Sequence, residues 1–84
     1  MNALQNVAVM AARRGGAILI RHLNKIDKMN VEKKGHNDFV SDADRAAEDA
    51  VIEVIRNHYP DHAILAEESG RQGESDTDWI IDPL

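Results

Sequence analysis

Two short apolar runs that each end in acid constrain this chain more than any other feature. Ala63-Ile64-Leu65-Ala66 runs into Glu67-Glu68-Ser69-Gly70, and Trp79-Ile80-Ile81 runs into Asp82-Pro83-Leu84. Runs of this length, bounded by turn residues, read as buried strands. Each strand would deliver a carboxylate to the start of a loop. Between them, Ser69 to Asp78 holds Gly70, Gly73, Ser75 and Asp76 with almost no apolar residue, and reads as a long surface loop.

The upstream half has helical spacing. Leu4, Val7, Ala8, Ala11, Ile18, Leu19 and Leu23 recur at three- and four-residue steps, which predicts one apolar stripe on a helix from about Asn2 to Asn24. Gly15-Gly16 weakens its middle by roughly 1 kcal/mol per glycine relative to Ala. A close helix packing contact is the simplest reason to find them there. Met29 to Lys33 is a short strand candidate, and Lys34 to Asp38 reads as a turn. Ser41 then suits a helix N-cap, with Asp42 and Asp44 in the first turn, where carboxylates favour the positive helix end. Ala47, Ala50, Val51, Val54, Ile55 and His58 would line one face of this second helix. Tyr59-Pro60 ends it, because the residue before proline is pushed out of the helical region. Helices and short strands together give an α+β class.

Composition narrows the function. Eighty-four residues with one Trp, one Tyr and one Phe allow one small domain, in which Ala, Ile, Val and Leu must do the packing. The absence of cysteine excludes disulfides and thiolate metal sites, and permits a reducing compartment. Ten Lys and Arg face fifteen Asp and Glu, a net charge of −5, which argues against nucleic acid as a partner. No apolar run approaches the ~20 residues of a membrane helix, so no membrane partner is expected. Arg13 and Arg14 follow the first apolar stretch instead of preceding it, unlike a secretory signal. The expectation is a soluble cytoplasmic protein.

Chain lengths bring some of the acidic groups together. A helix from Asp44 to Tyr59 covers about 24 Å, and a strand from Ala63 to Glu67 returns about 16 Å. Glu67 then ends within one or two helical turns of the level of Asp44. Asp82 reaches the same edge only if its strand runs parallel to the first. Clustered carboxylates repel unless a cation lies between them. All-oxygen ligation suits Mg, Mn or Ca better than zinc. Such a metal would let an acidic protein take an anionic substrate, and the Leu84 carbonyl could add one more oxygen. Taken singly, these residues have ordinary readings: Asp44 as helix-start chemistry, Glu67 as a loop residue, Glu68 as solvated or supporting, Asp82 as a turn residue. Lys33 and Lys34 read as solvated, the four histidines as structural, and Trp79 as core. Asp42-x-Asp44 with Glu53 imitates an EF-hand loop, but Ala47 stands where that loop needs glycine.

Ser41-Asp42-Ala43-Asp44, Tyr59-Pro60-Asp61-His62, Ala66-Glu67-Glu68-Ser69 and Trp79-Ile80-Ile81-Asp82-Pro83-Leu84 resemble, in order and spacing, the amino-terminal part of inositol monophosphatases. Lys34 to Val40 looks like the corresponding stretch of the bacterial extragenic-suppressor type. The resemblance implies the amino-terminal portion of an αβαβα layered sandwich, residues 1–84 being a fragment of a single phosphatase domain. It implies Mg2+-dependent hydrolysis of a phosphate monoester, usually myo-inositol 1-phosphate, by a protein that is often a homodimer. Carried over by position, Glu67 is a metal ligand, Asp82 a ligand bridging metals, and Leu84 a carbonyl ligand. Asp44 helps activate the attacking water through a threonine the sequence does not contain, and Glu67 and Asp44 are the catalytic pair. One of Lys33 and Lys34 approaches the metals. The family pattern continues with Asp-Gly-Thr or Asp-Gly-Ser, which lies beyond this sequence, so these 84 residues are expected to be inactive alone. Two alternatives stay open: a related phosphatase for another sugar phosphate or a nucleotide 3′-phosphate, and a non-catalytic protein-interaction module.

Overall fold

A computed structural model describes the backbone of residues 2–28 and 36–81, and the side chains of 2–25 and 41–81. Helix α1 spans Ala3–Lys28. It starts with a reciprocal capping box: Gln5 N–H donates to Asn2 Oδ1 at 2.8 Å, and Asn2 N–H donates to Gln5 Oε1 at 3.0 Å. Two amide donors that a helix start leaves unpaired are thereby satisfied. Its buried row is Val7, Ala11 and Gly15, continued by half-buried Ile18, Leu19 and His22. The row is narrower than the predicted stripe, since Leu4, Ala8 and Leu23 are exposed.

Helix α2 spans His36–His58, beginning five residues before the expected N-cap at Ser41. Ser41, Asp42 and Asp44 therefore lie beyond its first turn. Between Gly35 and Pro60 no glycine or proline interrupts the sequence, and Asn37 and Asp38 are residue types that a first helical turn favours. The expected strand at Met29–Lys33 lies outside the described residues. The far end of α2 closes as expected: Tyr59 N–H donates to Ile55 C=O at 2.7 Å before Pro60 stops the ladder. Ala43, Ala47, Ile52 and Ile55 are buried on α2, together with Glu48. Ala50 is half-buried and His58 exposed, so the inward face is turned from the predicted one.

The two helices approach closely at Gly15. A Cβ on Gly15 would stand 2.6 Å from Val51 Cγ2, whereas one on Gly16 would meet nothing within 4 Å. Only the first glycine makes the expected packing contact.

Strands β1 (Ala63–Ala66), β2 (Gly70–Gln72) and β3 (Asp78–Ile81) form one sheet in the order β2-β1-β3. Strand β2 runs antiparallel to β1, with Ala66 opposite Gly70. Gly70, at φ 73°, supplies the left-handed residue that such a short hairpin loop requires. The predicted loop from Ser69 to Asp78 is thus part strand. Gly-Arg-Gln carries no apolar alternation, so nothing in its pattern marks a strand. After β2 the chain passes the start of β1, where Ala63 N–H donates to Thr77 C=O at 3.1 Å. β3 then pairs parallel to the other side of β1, with Ala63 opposite Asp78 and Ala66 opposite Ile81.

One sheet face packs on the helices. Ile64 and Ala66 join Ala11, Ile52 and Ile55 in the core, with Trp79 and Ile81 packed against them. β3 is half-buried, not fully buried as predicted, because Ile80 points away and is 75% exposed beside Leu65. On that outer face Arg71 of β2 pairs with Asp78 of β3 at 3.1 Å, reaching over Ala63.

Aromatic rings fasten the end of α2 to β3. Tyr59 and His62 stack at 4.5 Å and 2°, and Trp79 Nε1–H donates to His62 Nδ1 at 2.9 Å. This hydrogen bond requires Nδ1 to be unprotonated. Trp79→Phe removes the hydrogen bond together with part of the ring that packs on Tyr59, His62 and the core, and is expected to cost about 2 kcal/mol. His62→Ala also removes the stacking and is expected to cost about 2 kcal/mol. Urea unfolding of the two variants checks this; a loss well under about 1 kcal/mol in either would show that the ring cluster does not fasten α2 to β3.

Among the described residues, no helix is long and apolar enough to cross a membrane.

Candidate metal site

Parallel pairing makes β1 and β3 end at the same edge of the sheet, at Ala66 and Ile81. Glu67 is the first residue of the turn that leaves β1 there, and it is exposed. Helix α2 runs beside this turn. Glu48 accepts hydrogen bonds from Glu68 N–H at 2.9 Å and from Ser69 Oγ at 3.0 Å. Arg45 approaches Glu68 at 3.7 Å. With Arg45 69% exposed, that ion pair is solvent-screened and contributes little.

Asp44 lies four residues before Glu48, hence about 6 Å along the same helix face. The hairpin turn bearing Glu67 and the helical turn bearing Asp44 are therefore neighbours. Neither carboxylate has a hydrogen-bond or ion-pair partner among the described residues, although Glu48, Glu68 and Asp78 all do. Two neighbouring carboxylates without protein donors suit a hard divalent cation, which oxygen ligands satisfy. The donor chemistry thus fits Mg2+. The described residues do not complete a site: no group of three or more acidic or histidine side chains among them could hold a metal. Asp82, Leu84, Lys33 and Lys34, all named from the sequence, lie outside the described residues.

Sequence reasoning missed Glu48. The residue is only 2% exposed, the one buried charged residue among those described. The signal was its place in the apolar register, between Ala47 and Val51 and four residues before Ile52. A search for apolar residues passed over it.

Comparison with known proteins follows the same lines. The inositol monophosphatase family model matches residues 1–84. The Nus factor SuhB of Pasteurella multocida is 45% identical over 86 aligned positions, which take in 100% of this chain and 32% of that protein. The Nus factor SuhB of Haemophilus influenzae is likewise 45% identical with the same shares. That of Escherichia coli K12 is 43% identical, again over 100% of this chain and 32% of the relative. The chain spans about a third of the length of the curated relatives it matches.

Proposed function

The chain belongs to the inositol monophosphatase family, and from that premise we propose that it is the amino-terminal part of a single Mg2+-dependent phosphatase domain. The substrate class is a phosphate monoester, with myo-inositol 1-phosphate or a similar sugar phosphate the first choice. The observation that supports this best is the parallel register of β1 and β3. It ends both strands at one edge, beside the helical turn that carries Asp44.

In this reading Glu67, Asp82 and the Leu84 carbonyl hold the metal. Bound there, Mg2+ would neutralise phosphate charge and make the attacking water more acidic. Asp44 orients that water, acting through a hydroxyl residue outside this sequence. The acidic chain itself repels a phosphate ester, so substrate enters only with the cation. The remaining proposals follow from the family: a homodimer, working in the cytoplasm, whose leaving-group pocket is built by residues outside these 84.

The test is phosphate release from myo-inositol 1-phosphate by the whole protein with Mg2+. Removing the metal with EDTA is expected to abolish turnover, and adding Mg2+ back to restore it. The purified 84-residue chain is expected to show no turnover with Mg2+. Activity that survives EDTA would sink the metal mechanism, and turnover by the 84 residues would sink their assignment as an incomplete site.

The relatives' names favour a second reading, since they describe a Nus factor and not a hydrolase. The segment would then serve in protein interaction, with its carboxylates solvated. Mg2+ titration separates the two: an interaction module shows no metal-dependent change on replacing Glu67 and Asp82 by Ala.

A further inference from the structure

Glu48 is buried and charged, yet it belongs neither to the apolar core nor to the proposed ligand set. Burying a carboxylate is costly unless its oxygens are satisfied. Here Oε1 accepts from Glu68 N–H and Oε2 from Ser69 Oγ, so both donors come from the turn that follows Glu67. We propose that Glu48 is the positioning residue for Glu67, locking the metal-ligating turn onto the helix that carries Asp44. This role rests on Glu67 being a metal ligand, as proposed above.

The backbone explains how the lock works. The peptide unit between Glu67 and Glu68 is planar and contains the Glu67 Cα and carbonyl together with the Glu68 N–H. Holding that N–H at 2.9 Å therefore sets the ψ torsion of Glu67. On its other side Glu67 is joined to Ala66, which is paired with both Gly70 and Ile81. The backbone of Glu67 is thus held from both directions, leaving its side-chain torsions free to meet a cation. Asp44 and Glu48 share one helix face, so the same contact sets the spacing between the backbones that carry Asp44 and Glu67. A carboxylate suits the task because it offers two acceptor oxygens and no donor. Hydrogen bonds to an ionised group are also the stronger kind.

The experiment is Mn2+ binding by calorimetry on the whole protein without substrate, with hydrogen exchange at the Glu68 amide read in parallel. Glu48→Ala is expected to weaken Mn2+ binding about 10- to 100-fold, the usual cost of losing a group that orients a ligand. Protection of the Glu68 amide should be lost with it. Glu48→Gln keeps an acceptor for Glu68 N–H, and its amide can donate to Ser69 Oγ. It is expected to restore both affinity and protection to near the starting values. A folded Glu48→Ala protein with unchanged Mn2+ affinity overturns the positioning role, and so does a Gln variant as weak as the Ala variant. If Glu48→Ala does not fold, Ser69→Ala decides, since it removes one of the two anchors. A several-fold weaker affinity supports the lock and an unchanged one overturns it. Glu67→Ala provides the separate control. Full Mn2+ affinity in that variant refutes the ligand assignment itself, whatever the Glu48 variants do.

Discussion

Glu67→Gln in the whole protein is expected to lower kcat/KM for phosphate release by about a thousandfold or more, roughly 4 kcal/mol of transition-state stabilisation. The substitution keeps the shape of the side chain and removes its charge. A Mg2+ ligand must offer a hard anionic oxygen, and an amide oxygen is a weaker one. Glu67 is exposed and has no protein partner among the described residues, so little stability should change with it. The natural control is its neighbour. Among the described residues the Glu68 side chain pairs with a screened Arg45 at 3.7 Å, and Glu68→Gln should stay within a few-fold of the parent rate. Raising Mg2+ should partly rescue a ligand variant whose defect is affinity. If Glu67→Gln retains a tenth or more of the activity at the Mg2+ concentration that half-saturates the parent, Glu67 is not a ligand. If both variants fall equally, the effect belongs to the charge of the turn and not to one residue.

The second large effect separates two adjacent glycines. Gly15→Ala places a methyl group 2.6 Å from Val51 Cγ2, well inside contact distance. Val51 is β-branched and short, so it cannot swing away as a long side chain would. The helices must move apart, and overpacking of this kind costs about 1–3 kcal/mol, against up to about 1 kcal/mol that alanine gains in helix propensity, so a net loss is expected. Gly16→Ala meets nothing within 4 Å. It should gain up to about 1 kcal/mol from helix propensity alone. For a chain this size, each kcal/mol shifts Tm by about 4–8 °C. The two midpoints, measured by thermal unfolding of the 84-residue chain, should therefore move in opposite directions. Two shifts of the same sign would contradict the packing at Gly15.

These glycines show what could be read without coordinates. The pair was legible as a packing contact, because two glycines inside a helical pattern ask for a reason. Which one makes the contact depends on how α1 is rotated against α2, and that is tertiary information. The end of α2 at Tyr59-Pro60 and strands β1 and β3 were legible because local chemistry decides them: a proline, and apolar runs between turn residues. The start of α2 was not. His36, Asn37 and Asp38 suit a turn and a first helical turn about equally, and composition alone reads them as the former. Strand β2 was illegible because three residues, Gly-Arg-Gln, hold their place through pairing with β1 and show no pattern of their own. Asp44 and Glu67 could be nominated from the sequence, since chain lengths put them at similar heights. The contact that joins their two elements could not, because Glu48 is separated from Glu68 by 20 residues.

The two outer edges of the sheet are unlike each other. On one side stands β2, three residues long, with Arg71 on the exposed face. Short charged strands of this kind discourage another strand from adding beside them. On the other side stands β3, whose Trp79 and Ile81 face the helices while Ile80 faces outward, 75% exposed. A strand apolar on both faces has the character of a sheet interior. Among the described strands, growth is therefore directional: β3 suits a further strand beside it and β2 does not. The proposed metal site lies at the end of β3 and sheet growth along its side, so a strand added there would bring its own end up to the site.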